Sequence, residues 1–140
     1  QISTTPIRSG PSAGIFSLTF CDCQNGVAVG GDYQPEDEAV NVAVTADGGI
    51  SWELAAATGG FRSVAAYIDT PAGTLLLALG PSGADVSKDN GRSWMAMQTP
   101  WRGLHTYSQG EGAARGFAAG AGGGIAGLGL VETILASPKI

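Results

Sequence analysis

Cysteine, histidine and charge are all scarce in this chain of 140 residues. It has two cysteines, one histidine and 14% charged residues, with seven lysines and arginines against twelve aspartates and glutamates. The net charge of −5 disfavours nucleic acid as a partner, because affinity for a phosphate backbone comes from Lys and Arg contacts. Cys21 and Cys23 lie too close together for an unstrained disulfide, and a structural zinc site needs more ligands. We therefore expect free thiols and no metal, and reduced cysteines favour the cytoplasm.

Long hydrophobic segments are also missing. The most apolar stretch, GFAAGAGGGIAGLGLV at 116–131, is shorter than the roughly 20 apolar residues of a spanning helix, and QISTTPIRSG at 1–10 has no signal-peptide core. We therefore expect no membrane contact. The same stretch contains Gly122, Gly124 and Gly127 in a G-x-G-x-x-G pattern, but too little chain follows for the helix and acidic residue of a dinucleotide site. We expect no cofactor.

Glycine and short apolar runs dominate what the chain does contain. There are 23 glycines, and 44% of the residues are hydrophobic. The runs are four to eight residues long, with turn residues between them, which is typical of β-strands joined by tight turns. We predict a single all-β domain over residues 1–140.

The apolar runs recur in three units, at about 14–57, 62–99 and 103–140. The second strands of the units end in Gly30, Gly80 and Gly120, which are 50 and 40 residues apart. The first unit is longer because an acidic loop, 32–40, is inserted in it. Four strands repeated every 40–50 residues are the signature of a β-propeller blade. We predict a partial β-propeller of about three four-stranded antiparallel blades; a β-sandwich is the alternative, and it does not explain the repeat.

Two segments, TADGGISW at 45–52 and SKDNGRSW at 87–94, repeat one polar turn that ends in tryptophan. We expect Asp47 and Asp89 to accept backbone N–H groups, and Gly49 and Gly91 to supply positive φ angles. The tryptophan rings should pack against the following blade, each with a partner for its indole N–H. The residues assigned to this structural role are Thr45, Asp47, Gly49, Ser51 and Trp52 in the first turn and Ser87, Asp89, Gly91, Ser93 and Trp94 in the second.

These segments resemble the Asp-box motif, S/T-x-D-x-G-x-S/T-W, of sialidase-type (BNR) repeats. With GIFSLTF, GVAVGGDY and GFAAGAGGGIAGL, residues 5–128 look like the bacterial Asp-box propellers described as oxidoreductases or as related to photosystem II assembly factors. Those propellers usually have about six to eight blades, so this chain resembles a C-terminal half. The third unit departs from the motif, with Gly129 at the position of the aspartate, and the tail 130–140 does not look like the family.

The resemblance implies a propeller of undetermined activity, because Asp boxes occur in propellers of many functions. A sialidase-like glycoside hydrolase fragment is the enzymatic alternative, which needs clustered arginines and a Tyr–Glu pair. The chain's arginines and tyrosines show no spacing that would bring them together, and His105 has no evident catalytic partners. We therefore favour a non-catalytic binding or scaffold module.

Three blades leave apolar outer faces without cover, which predicts self-association or pairing with another propeller half. In that arrangement a second copy completes a ring of about six blades. Loops at the blade edges are the expected ligand or partner contacts, and the residues that we assign to this role are Trp101, Arg102 and Tyr33.

Overall fold

The structure, a computed structural model, describes residues 2–35, 40–70, 72–98, 102–110 and 115–129, without the side chain of residue 128. These residues form antiparallel strands and one short 3-10 turn, Ala121–Gly123, so the predicted all-β class is confirmed. The strands are β1 Ala13–Phe20, β2 Gly26–Asp32, β3 Val42–Thr45, β4 Glu53–Leu54, β5 Val64–Thr70, β6 Gly73–Gly80, β7 Gly83–Ser87, β8 Met95–Ala96, β9 Leu104–Gln109, β10 Arg115–Gly120 and β11 Ile125–Gly129.

The strands assemble into three sheets in sequence order. The first sheet has the order β1-β2-β3-β4, the second β5-β6-β7-β8, and the third β9-β10-β11. All neighbouring strands are antiparallel, and none of the sheets closes on itself. The fourth strand predicted for the third unit, in 130–140, lies outside the described residues.

The central strands are buried on both faces. Every residue of β2 and of β3 is buried, in keeping with the run of small apolar residues in GVAVGG at 26–31. Valines of β2 and β3 pack against Ala65, Leu76 and Ala78 and form the core between the first and second sheets. Leucines of β6 pack against Tyr107 and Ala118 between the second and third sheets. The sheets are therefore stacked face to face.

Neighbouring sheets also contact each other through their first strands. β5 lies against β1 and β2, and β9 lies against β5 and β6. The backbone N–H of Ala65 in β5 donates to the Ser17 hydroxyl of β1 at 3.0 Å, and the Ser63 hydroxyl donates to the His105 carbonyl of β9 at 2.7 Å. The first strands of the three sheets, β1, β5 and β9, therefore lie next to one another in sequence order.

A buried amide holds the start of the connection between the first and second sheets. Asn41, only 1% exposed, donates to the Thr58 hydroxyl at 2.9 Å and to the Gly60 carbonyl at 2.7 Å. Its side-chain oxygen accepts the Thr58 N–H at 3.2 Å. Both ends of the amide are satisfied, as burial of a polar group requires.

A buried ion pair holds the end of the same connection. The Arg62 guanidinium contacts the Asp85 carboxylate of β7, and both side chains are 3% exposed. The Nε of Arg62 donates to Asp85 at 2.7 Å, and its remaining amino group donates to the Phe61 carbonyl and the Ser82 hydroxyl. The Gly59 N–H donates to both oxygens of the same carboxylate at 3.3 Å. The connection is therefore tied to the second sheet as well.

The three glycines that mark the repeat in the sequence each lie close to a backbone carbonyl group. They are Gly30, Gly80 and Gly120. A Cβ atom on Gly30 would overlap the carbonyl oxygen of Gly14, where β1 begins. The same is true of Gly80 against the carbonyl of Phe61, and of Gly120 against that of Gly103. In each sheet the second strand therefore needs glycine where it meets the start of the first strand.

Helical structure in the described segments is limited to the three-residue turn Ala121–Gly123, so none of it could span a lipid bilayer.

The Gly30→Ala variant is expected to be destabilised by about 2 kcal/mol or more, because its methyl group has no space against the Gly14 carbonyl. Gly14→Ala is the matched control, since a Cβ there meets no atom within 4 Å. Urea unfolding of the two variants measures the difference. Equal stability of the two variants would contradict the close approach.

Candidate functional site

The first aspartate turn, residues 45–52, is closed by side-chain hydrogen bonds. The Asp47 carboxylate accepts the Ser51 N–H at 2.9 Å, the Ser51 hydroxyl at 2.6 Å and the Thr45 hydroxyl at 2.8 Å. The Thr45 hydroxyl oxygen in turn accepts the Gly49 N–H at 3.0 Å. The polar side chains of the turn are therefore engaged within it.

The second aspartate turn, residues 87–94, repeats these bonds. The Asp89 carboxylate accepts the Ser93 N–H at 2.8 Å, the Ser93 hydroxyl at 2.5 Å and the Ser87 hydroxyl at 2.7 Å. The Ser87 hydroxyl oxygen accepts the Gly91 N–H at 2.9 Å. Each bond has its counterpart in the first turn within about 0.1 Å.

Both turns place two successive residues at positive φ. These are Gly48 and Gly49, at 74° and 83°, and Asn90 and Gly91, at 55° and 82°. Glycine adopts this region without steric cost, and asparagine tolerates it better than most residues do. The backbone requirement explains the glycine shared by the two motifs.

The hydrogen bonds favour the ionised carboxylates. The Ser51 hydroxyl and N–H, with the Thr45 hydroxyl, lower the pKa of Asp47 to about 2. At Asp89, burial raises the pKa, but the hydrogen bonds from Ser93 and Ser87 outweigh it, so the pKa is lowered overall. Both aspartates are thus charged over the physiological range.

Each tryptophan packs on the face of its own sheet that points away from the next sheet in the chain. Trp94 packs against the cluster between the first and second sheets, which includes Val27 and Leu76. Trp52 packs against Ile7, Ala28 and Ala43 on the opposite face of the first sheet. We expected the rings to contact the following unit, but Trp94 contacts the preceding one. Its buried Nε1 has no hydrogen-bond partner among the described residues, contrary to the expected pairing.

The loop between β1 and β2 lies beside the first turn. The Asp22 carboxylate accepts the Gln24 and Asn25 N–H groups at 2.7 and 2.6 Å, and the Asn25 side chain at 2.9 Å. The Asn25 side chain and these backbone donors lower the pKa of Asp22 to about 2. The Gly48 N–H donates to the Gln24 carbonyl at 2.9 Å and joins the loop to the turn. Cys21 and Cys23 are free, as predicted, and both are exposed.

A cleft of about 340 Å³ opens between this loop and the second turn. Its lining combines aromatic, thiol, charged and amide side chains, among them Phe20, Cys21, Tyr67, Asp69, Lys88 and Asn90. The Tyr67 hydroxyl is enclosed and has no hydrogen-bond partner among the described residues. Burial, together with the neighbouring Cys21 and Asp22 side chains, raises its pKa well above the ordinary value. Tyr67 is therefore a neutral phenol at physiological pH.

The partner contacts predicted from the sequence are Tyr33, Trp101 and Arg102. Tyr33, 47% exposed, packs edge-on against Phe16 at 6.1 Å and Phe61 at 6.2 Å between ring centroids. Arg102 is exposed, and Trp101 lies outside the described residues. Tyr33 thus forms an exposed aromatic cluster with Phe16 over the buried Phe61.

Arg62 and Arg92 take part in separate ion pairs. Arg62 is buried against Asp85, whereas Arg92 in the second turn contacts Glu53 at 3.2 Å on the surface. A sialidase-like carboxylate site would need such side chains to converge. In the described segments, no three His, Cys, Asp or Glu side chains lie close enough together to hold a metal ion.

Comparison with known proteins supplies no relative: no family model, curated protein or solved structure matches the chain. The resemblance to Asp-box propellers therefore rests on the sequence motifs.

Two features of this region were not anticipated from the sequence. The Arg62–Asp85 pair had one signal, since Asp85 interrupts the apolar strand GADVS at a buried position. The cleft had none, because its walls come from three separate segments that span 70 residues of the sequence, from Phe20 to Asn90. Lys88 and Asn90 occupied variable positions of the repeated motif and were given no role.

Acid should weaken the fold through the two turns. Because their folded-state pKa values lie below the ordinary 3.9 or so, the carboxylates stabilise the protein above about pH 4, and this contribution disappears as the pH falls towards 2. Urea unfolding between pH 7 and 2 should therefore show a smaller acid loss in the Asp47→Asn/Asp89→Asn variant than in the wild type. An undiminished acid loss in this variant would contradict the assignment.

Tyr67→Phe is expected to leave stability unchanged or to raise it by up to about 1 kcal/mol, because it removes an enclosed hydroxyl that has no partner. Tyr107→Phe is the matched control, since the Tyr107 hydroxyl donates to the Gln109 side chain at 3.3 Å, and it should lose about 1 kcal/mol. Thermal and urea unfolding measure both. A larger loss for Tyr67→Phe would show that its hydroxyl has a bound partner in solution.

Proposed function

We propose that the chain is a non-catalytic β-propeller scaffold of about three blades, in which the Asp boxes are structural and a second copy completes the ring. The observation that carries this proposal is the stacking of the three sheets, with first strands in contact and repeated glycine contacts at one end. Blades that radiate from an axis bring their first strands together in this way. The closed hydrogen bonding of both aspartate turns supports a structural role for them.

The outer faces of the stack supply the argument for a second copy. On the third sheet, Phe117 and Ile125 are 56% and 75% exposed, and they point away from Ala118 and Ala126, which face the second sheet. On the far face of the first sheet, Ile7 and Trp52 cover the central Ala28 and Ala43. Beside them, Leu18 and Leu54 remain 55% and 50% exposed. At the two interfaces within the chain, the corresponding apolar faces are buried against a neighbouring sheet. Monomeric proteins rarely expose apolar surfaces of this size to solvent.

Each outer face has the orientation that the other one lacks. In the first and second sheets, one face is buried against the next sheet in the chain, and the third sheet leaves its equivalent face exposed. In the second and third sheets, the other face is buried against the preceding sheet, and in the first sheet this face has no sheet packed on it. Two copies joined head to tail would therefore form the same interface twice and close after about six sheets. Tyr33, Phe16 and Arg102, all exposed, would then be available for a ligand or partner at the blade edges.

Light scattering coupled to size-exclusion chromatography tests the second copy. We expect a wild-type particle of twice the chain mass, and mostly monomer for Ile125→Lys, because a charge would have to be buried at the interface. Met95→Lys is the control, since Met95 is 52% exposed on the edge of the middle sheet, and it should stay dimeric. A folded wild-type monomer would overturn the pairing, and a higher closed oligomer would replace the dimer by another ring.

A further inference from the structure

The second aspartate turn differs from the first at positions that its hydrogen bonding does not use. Lys88 and Asn90 take the places of Ala46 and Gly48, although the backbone φ at this second position is positive in both turns. Glycine adopts that conformation more easily than asparagine, so the fold of the turn does not explain the choice. Both replacements line the cleft between the first and second sheets. Polar groups are thus introduced where they face a cavity.

The cleft has charges of both signs without a counter-ion. Among the described residues, the Lys88 ammonium has no ion pair or hydrogen bond, and the Asp69 carboxylate has no cationic partner. Asp69 accepts only the Thr74 hydroxyl, at 2.8 Å, which leaves further acceptor positions open. Ser87, in contrast, is engaged within its turn. Lys88, Asn90 and Asp69 are therefore the groups available to a ligand.

The remaining walls and the size of the cleft restrict the ligand further. Phe20, 39% exposed, and Leu76 add apolar surface. A volume of about 340 Å³ lies at the small end of ligand pockets. A plain anion would meet Asp69, with Asp22 close by and a chain of net charge −5, and a plain cation would meet Lys88. A small molecule with one charge of each sign and an apolar part fits these groups.

We propose that the cleft binds a free α-amino acid with an apolar side chain. The carboxylate of the ligand accepts hydrogen bonds from the Lys88 ammonium and the Asn90 amide, and its ammonium donates to Asp69. Its side chain packs against Phe20. Charge-assisted hydrogen bonds at both ends of the ligand supply the specificity.

The test is titration of the ¹⁵N-labelled full chain with leucine and with phenylalanine, followed by amide chemical shifts. We expect saturable shifts at Tyr67–Asp69 and Lys88–Asn90. N-acetyl-leucine and leucinamide each lack one charge and should bind at least about tenfold more weakly. Absence of saturable binding by both amino acids, or equal binding of the blocked compounds, would overturn the proposal.

The decisive variant is Lys88→Ala/Asn90→Gly, which gives the second turn the residues that the first turn already carries at these positions. It should fold normally by circular dichroism and bind at least about tenfold more weakly. Arg92→Ile is the matched control, because it removes a positive charge from the same turn, again copies the first turn at Ile50, and does not alter the cleft lining. Unchanged binding by the double variant, or an equal loss in Arg92→Ile, would refute the role of the cleft.

Discussion

The structure depends on central strands that are apolar on both faces. The strand β6 carries leucine on both faces, and β2 carries valine on one face and alanine on the other. These sheets therefore need cover from their neighbours and are stable only as a stack. Burial of this kind leaves little room for polar groups. Asn41 and the Arg62–Asp85 pair accordingly have hydrogen-bond partners within the chain, whereas the Trp94 Nε1 and the Tyr67 hydroxyl have none among the described residues.

The sequence predicts the parts of the structure that local patterns determine. The strand order, the antiparallel pairing and the bonds of Asp47 and Asp89 follow from alternating apolar residues and from short-range turn chemistry. The repeat does not reveal which neighbouring sheet a side chain will contact. For that reason the prediction that Trp94 packs against the following unit was wrong. The cleft was missed for a related reason, because it exists only where two sheets meet.

The two turns separate residues needed for folding from residues that the fold leaves free. Ser or Thr, Asp, Gly and Ser form the same bonds in each turn, whereas Ala46 and Lys88 occupy corresponding positions that no bond of the turn uses. A repeated element can therefore keep its conformation while its exposed positions change. Repetition makes such changes visible within one sequence, because each unit is a reference for the other.

The connection between the first and second sheets has a consequence for how the protein unfolds. Asn41 holds its start to the first sheet, and Asp85 holds its end to the second. Separating the sheets would break either the bonds of the buried Asn41 amide or those of the buried Arg62–Asp85 pair, and it would leave polar groups without partners at considerable cost. These two sheets should therefore open together, as one cooperative unit, and their amide protons should exchange with solvent at a common rate.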